Sequence, residues 1–289
     1  MVSITSNKLT KYFGKIVALY NVSFNASGRI IAVVGPNGSG KTTLLSIIAG
    51  LRYPSKGSLL INGFEPYKRR DSALKIISMN FGNPLHNTSV NIGRLIKIAI
   101  RECPNGDQLP SILRDLGLSI PWNKKFNEIS SGQSQLITLV TTLFCNKASL
   151  AILDEPLSHL DIHYRAEMLS IMRERGNIIF TTHILEEAET IADYIVVLSN
   201  GSLVWHGKVD KLYNSNIYEI FPNRQKIIYV KNTLQDKIIA DLGVSIAIKA
   251  PSIELLDKLF KEGLIVGYRR AGLRMIIHEQ YKSRVQSVH

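Results

Sequence analysis

Cysteine is nearly missing from this 289-residue chain, with only Cys103 and Cys145 present. They stand far apart without the close spacing of metal ligands, which argues against a disulfide framework or a zinc site and fits a reducing compartment. Long apolar runs are missing too. None approaches the ~20 residues needed to cross a bilayer, and the longest, such as Ile30 to Val34, read as buried strands. Residues 1–8 lack the apolar core of a signal peptide, so the chain is expected to be soluble by itself. Glycine and proline are modest at 20 and 10, which excludes collagen-like and low-complexity classes. The formal net charge is +12, yet no basic run is denser than Lys68-Arg69-Arg70 and Arg269-Arg270, and no aromatic-basic RNA signature accompanies them. No nucleic-acid partner is expected. The basic surface suits solubility or nearness to acidic lipid.

What is there is ordinary globular composition, 45% hydrophobic and 20% charged, at a length for one large domain or two smaller ones. From residue 10 to about 213, apolar runs alternate with helical patterns, the mark of a mostly parallel α/β sheet. Strands are read at 28–34, 150–153, 177–181 and 194–198, and a helix at 41–49 stops at Gly50. A helical stretch from about 91 to 142, interrupted at Pro104, Pro110 and Pro121, reads as an inserted helical subdomain within about 85–145. After 213 the texture changes. Strands are expected at 225–231, 244–249, 264–268 and 273–278, and helices at 234–242 and 252–263. This predicts a small α+β domain at 217–289, carrying 12 basic and 7 acidic residues, behind a larger domain at 1–216.

The strongest local signal is Gly35-Pro36-Asn37-Gly38-Ser39-Gly40-Lys41-Thr42-Thr43, which matches G-x-x-x-x-G-K-[ST] between a strand and a helix. Glycines let the backbone wrap a phosphate closely, and the helix N-terminus turns its N–H groups and positive dipole end toward the anion. Lys41 is placed to reach the β- and γ-phosphates, and the Thr42 hydroxyl to ligate Mg²⁺. The apolar strand 150–153 runs into Asp154 and Glu155. At the carboxyl end of a parallel strand both face the phosphate crevice. Asp154 is the natural Mg²⁺ partner, and Glu155 can polarise an attacking water.

The order of motifs resembles the nucleotide-binding subunit of ATP-binding cassette (ABC) transporters. Ile129-Ser130-Ser131-Gly132-Gln133 is similar to that family's LSGGQ signature, with Ile and Ser in place of its Leu and first Gly. Ser158-His159-Leu160-Asp161 resembles the D-loop, and His183 the switch histidine. Tyr12-Phe13-Gly14 resembles the aromatic A-loop, with Phe13 the residue to stack on adenine. The resemblance implies an α/β P-loop NTPase core with an inserted helical subdomain, followed here by the small C-terminal α+β domain. It further implies ATP and Mg²⁺ as ligands, bound in a head-to-tail pair of such subunits, alike or different. Each ATP would lie between one subunit's phosphate loop and the other's segment Ser130, Ser131, Gly132 and Gln133. Glu155 would be general base, His183 would contact the γ-phosphate and Asp161 would couple the two sites. The implied setting is the cytoplasmic face of a membrane, against an integral membrane permease, and the plan resembles ABC-2-type exporters more than larger sugar importers. Two alternatives are a soluble ABC-type ATPase and an ATP-dependent regulatory switch. One position departs from the family. Gly82 stands where the Q-loop carries glutamine, and Asn80 or Asn83 would have to supply the amide. The other histidines read as surface or packing residues, and Cys145 as a small core residue.

Overall fold

β-branched residues dominate the apolar runs of the chain's centre, and they fold as strands because both faces find cover. The computed structural model describes residues 1–82, 85–103, 105–144, 149–213, 216–250, 252–275 and 277. They fall into two compact units, Met1–His206 and Gly207–His289. The division lies upstream of the 216/217 boundary expected from the sequence.

In chain order the first unit comprises β1 (Val2–Phe13), β2 (Ile16–Gly28), β3 (Ile30–Val34), α1 (Lys41–Ile48), β4 (Lys56–Ile61), α2 (Arg70–Ile76) and β5 (Ile77–Phe81). The helical insertion follows as α3 (Ile92–Glu102), α4 (Leu109–Asp115) and α5 (Ser131–Phe144). The chain then returns through β6 (Leu150–Asp154), α6 (Ile162–Arg175), β7 (Ile178–Thr182), α7 (Leu185–Ile191), β8 (Tyr194–Ser199) and β9 (Ser202–Lys208). One sheet runs in the order β5-β6-β7-β3-β8-β9, and β5/β6, β6/β7, β7/β3 and β3/β8 pair in parallel. β3, β6 and β7 are buried at every residue, as parallel strands covered on both faces must be. A second, antiparallel sheet in the order β2-β1-β4 stands apart from it. Between the two lies α1, whose Leu44, Leu45, Ile47 and Ile48 are fully buried in one cluster. Its neighbours there include Val2, Ile4 and Leu19 of the antiparallel sheet and Ile31, Val33 and Ile152 of the parallel one. The second half of this helix, Leu44 to Ile48, is buried on every side, as a core helix is. Burying each such side chain contributes about 1.5–3 kcal/mol, so the helix that carries the phosphate loop is firmly seated.

The second unit comprises α8 (Val209–Tyr213), β10 (Ile217–Pro222), α9 (Ile227–Thr233), β11 (Ile238–Asp241), β12 (Ile246–Lys249), α10 (Ile253–Lys261) and β13 (Ile265–Arg270). Its antiparallel sheet has the order β11-β12-β10-β13, and its own core gathers Ile220, Val230, Ile246, Ile248, Leu256 and Leu259.

Three expectations for this unit are corrected. Residues 225–231 are not a strand: the Asn223 Oδ1 accepts the Gln225 N–H at 3.1 Å, starting a 3₁₀ turn that runs into α9. There Val230 and Leu234 are buried four residues apart on one side, while Ile228 and Tyr229 are exposed. Cap and i,i+4 spacing outweigh the β-branched propensity. Residues 234–242 are not a helix, because Ile238, Ala240 and Asp241 pair with β12. Residues 273–275 are helical rather than extended, with Leu273 and Met275 buried; the rest of that run, apart from 277, lies outside the described residues. The cysteine expectation is corrected too, since Cys103 is disulfide-bonded. Cys145 lies outside the described residues.

Candidate functional site

Sheet register assembles the site. Val34 pairs with Thr182, Leu153 with Phe180 and Phe81 with Asp154, so β3, β7, β6 and β5 all end at one edge. Their next residues are Gly35, His183, Glu155 and Gly82. Four of the motifs read from the sequence therefore meet at the carboxyl ends of adjacent parallel strands, where α/β folds bind ligands.

The loop from Gly35 to Gly40 leads into α1. A Cβ at Gly40, whose φ is +100°, would lie 2.6 Å from the Ala18 carbonyl oxygen, so only glycine fits this approach. Lys41 is buried, and its Nζ donates to the carbonyls of Gly35 at 2.8 Å and Pro36 at 3.2 Å. It also pairs with Glu155 Oε1 at 3.1 Å. Thr42 Oγ1 donates to Asp154 Oδ2 at 2.7 Å. The Ser39 hydroxyl is buried without a partner among the described residues. Asn37, Gly38 and Thr43 fill the remaining positions of the loop and the first helical turn, whose leading N–H groups have no intrahelical acceptor.

Glu155 sits at φ +47°, a left-handed conformation uncommon for a non-glycine residue and costly where nothing enforces it. Two bonds enforce it here: its N–H donates to Thr181 Oγ1 at 2.8 Å, and its carbonyl accepts from Ser158 Oγ at 3.0 Å. Its Oε2 lies 2.8 Å from His183 Nδ1. Lys41, Glu155 and His183 thus form a continuous polar line.

Phe13 is partly exposed at the end of β1, with Lys11 Nζ and Arg52 Cζ 5.2 and 5.1 Å from its ring centroid. Ser130 and Gln133 cap α5 reciprocally: the Gln133 N–H donates to Ser130 Oγ at 3.2 Å, and the Ser130 N–H to Gln133 Oε1 at 3.3 Å. Ser131 and Gly132 open that helix, and a Cβ on Gly132 would meet the His159 carbonyl oxygen at 3.0 Å, so the signature and the D-loop segment adjoin. Asp161 caps α6, its Oδ1 accepting the N–H groups of His163 and Tyr164, each at 3.1 Å. The Gly82 N–H donates to the Asp154 carbonyl at 3.2 Å, and its φ is +63° with open space where a side chain would start. Asn80 is buried, and neither atom of its amide has a partner among the described residues. Asn83 lies outside them.

Sequence reasoning missed three supporting groups. Thr181 Oγ1 donates to Asp154 Oδ1 at 2.5 Å while it accepts from the Glu155 N–H. Gln135, fully buried in α5, donates to the Pro156 carbonyl at 2.8 Å. Glu187 is buried beside Thr182, and burial raises its carboxyl above the usual range against the pull of Thr182 and Arg165. The available signal was polar residues inside otherwise apolar runs, as in Thr181-Thr182 at the end of β7.

The ABC transporter family pattern matches residues 19–158. Over its full length the chain is 31% identical to the uncharacterized ABC transporter ATP-binding protein YxlF of Bacillus subtilis (strain 168), covering 98% of that protein. With 73% of its length it is 32% identical to the sulfate/thiosulfate import ATP-binding protein CysA of Synechocystis sp. (strain ATCC 27184 / PCC 6803 / Kazusa), of which it spans 62%. Among solved structures, an ATP-binding subunit of an ABC transporter matches at TM-score 0.63 and 25% identity, over 73% of this chain and 92% of that one. A dimeric bacterial ABC transporter cassette shares the fold at TM-score 0.61 and 23% identity, over 71% and 98%.

Proposed function

The chain belongs to the ATP-binding subunits of ABC transporters, which are ATPases, and on that premise we propose how its residues divide the work. What supports the assignment above all is the line Lys41–Glu155–His183 beside the Thr42–Asp154 pair, all at the ends of adjacent strands. The phosphates of ATP lie in the loop from Gly35 to Thr43, and Phe13 stacks on adenine. Lys41 exchanges its carbonyl and carboxylate partners for phosphate oxygens. Thr42 and Asp154 would hold Mg²⁺, since a hydroxyl and a carboxylate oxygen 2.7 Å apart are hard donors of the kind that ion takes. When bound, Mg²⁺ neutralises phosphate charge. Glu155 takes the proton of the attacking water, and His183 orients Glu155 and contacts the γ-phosphate.

A second cassette closes the site with its Ser130, Ser131, Gly132 and Gln133, presenting the capped N-terminus of α5 to the γ-phosphate. Asp161 couples the two sites. The pair works at the cytoplasmic face of a membrane on a separate permease; among the described residues no helix is long and apolar enough to cross a bilayer. Gly82 favours one second reading, a regulatory switch with little turnover, because it contributes no side chain beside Asp154. Steady-state kinetics separate the two. Glu155→Gln is expected to bind ATP and form an ATP-stabilised dimer while losing hydrolysis by roughly 10²–10⁴, whereas Lys41→Ala weakens ATP binding itself. Normal hydrolysis by Glu155→Gln would remove the general-base assignment, and negligible turnover of the wild-type chain with its permease would favour the switch.

A further inference from the structure

We propose that Glu187 and Arg165 are positioning residues for hydrolysis, a buried carboxylate facing a part-buried guanidinium, that fix the His183 loop against the Asp161 loop and so keep His183 on Glu155. The proposal rests on the reading of Glu155 and His183 given above. Glu187, on α7, is 6% exposed. Its Oε2 accepts from Thr182 Oγ1 at 2.5 Å, and the same hydroxyl accepts the Ile184 N–H at 3.0 Å. The residues on both sides of His183 are therefore tied to one carboxylate. The other oxygen, Oε1, faces Arg165 Nε at 3.5 Å, and neither atom has a hydrogen-bond partner among the described residues. Arg165 belongs to α6, the helix that Asp161 caps, and its Nη2 reaches the Leu160 carbonyl at 3.4 Å. One chain of contacts thus runs from Leu160, next to Asp161, through Arg165, Glu187 and Thr182 to the residues flanking His183.

Stability does not account for this pair. Glu187 is desolvated for a single long contact with an arginine that is 30% exposed, which repays its burial poorly. Burial already disfavours the charged form of Glu187. Its geometric effect is what distinguishes it: it links the loop before α6 to the loop before α7.

The experiment uses the full chain and measures steady-state ATP hydrolysis, binding of a fluorescent ATP analogue and thermal melting. The variants are Glu187→Gln, Arg165→Met, Arg165→Lys and the double Glu187→Gln/Arg165→Met. Each of the first two is expected to lower kcat roughly 10- to 10²-fold, the cost of a slightly misplaced group, with KM for ATP and analogue binding unchanged. Arg165→Lys should recover part of the loss. The double variant should be no slower than the slower single, because the two act as one unit. Wild-type kcat in either single variant, or a double-variant loss equal to the product of the two, would overturn the proposal. If Glu187→Gln fails to fold, Arg165→Met against Arg165→Lys still decides, since equal rates in those two would refute a role for the ion pair. Glu155→Gln serves as the control. Normal hydrolysis there would bring down the underlying reading, whereas an inactive Glu155→Gln beside a fully active Glu187→Gln would bring down only this one.

Discussion

Thr181 Oγ1 donates to Asp154 and accepts from the Glu155 N–H, so one hydroxyl sets both carboxylates. Thr181→Val keeps the volume and removes both bonds. It leaves the buried Asp154 one donor short and leaves the left-handed turn at Glu155 held only through its carbonyl by Ser158. We expect a stability loss of about 1–3 kcal/mol in denaturant melts, the cost of a buried acceptor losing its partner. Hydrolysis should fall more than ATP binding. A variant with wild-type kcat would show that Thr42 and Lys41 suffice to hold the pair. Gly82 poses the opposite question, because a side chain is missing. Gly82→Gln must occupy φ +63°, a conformation that costs an ordinary residue roughly 1–2 kcal/mol, but the space around it is open. The restored amide is expected to raise hydrolysis by the isolated chain. Asn80, buried with a partnerless amide, offers the competing source. If it or Asn83 already fills the role, Asn80→Ala or Asn83→Ala lowers turnover and Gly82→Gln changes nothing, and unchanged rates in all three variants would sink both accounts.

At the scale of elements, α7 carries a pH-dependent cost that can be measured apart from catalysis. Burial raises the Glu187 carboxyl above its usual range, opposed by the Thr182 hydrogen bond and the Arg165 charge, while Glu155 raises it further and His183 lowers it. A carboxyl whose folded-state pKa is raised favours the folded state at pH below its unfolded value and loses that contribution as pH rises through the folded one. Glu187→Gln should therefore gain Tm relative to wild type as pH rises from about 4.5 toward neutrality. A Tm difference that stays flat across that range would show that the Arg165 charge fully offsets burial. The same scale shows what the sequence made readable. β3, β6, β7 and β8 were legible because parallel strands buried on both faces leave unbroken apolar runs. β1 and β2 were not. Their pairing shifts register after Ser6, Leu9 and Lys11, with Lys8 and Asn21 at positive φ, so the period-2 alternation is broken where it would have been noticed. In the second unit α9 was hidden by Ile227, Ile228 and Val230, which carry strand propensity but follow a capped turn. The site was legible wherever a motif is written in fixed spacing along the chain, as in the loop before α1. It was illegible where support comes from across the sheet, as with Thr181, Gln135 and Glu187.

For the whole molecule, where the chain can be cut follows from which strands complete the large sheet. Every residue assigned to ATP lies within Met1–His206, and Gly207–His289 has its own sheet and core. β9 nevertheless forms the last strand of the six-stranded sheet, next to β8. It is held there by the Tyr194 hydroxyl on His206 Nδ1 at 2.7 Å, with the two rings stacked and Val204 buried. Two truncations should then behave differently. Removing 217–289 leaves β9 and every nucleotide contact in place, so ATP binding should persist at full affinity and the melt should remain a single cooperative transition. Removing 202–289 strips β9, exposes the edge of β8 and uncovers Tyr194, which should lower Tm sharply and favour aggregation through the freed edge. Calorimetry and binding of a fluorescent ATP analogue on both truncated chains test this. A folded 1–216 chain that no longer binds ATP would mean that the second unit completes the nucleotide site, and equal stability of the two truncations would mean that β9 is dispensable to the sheet.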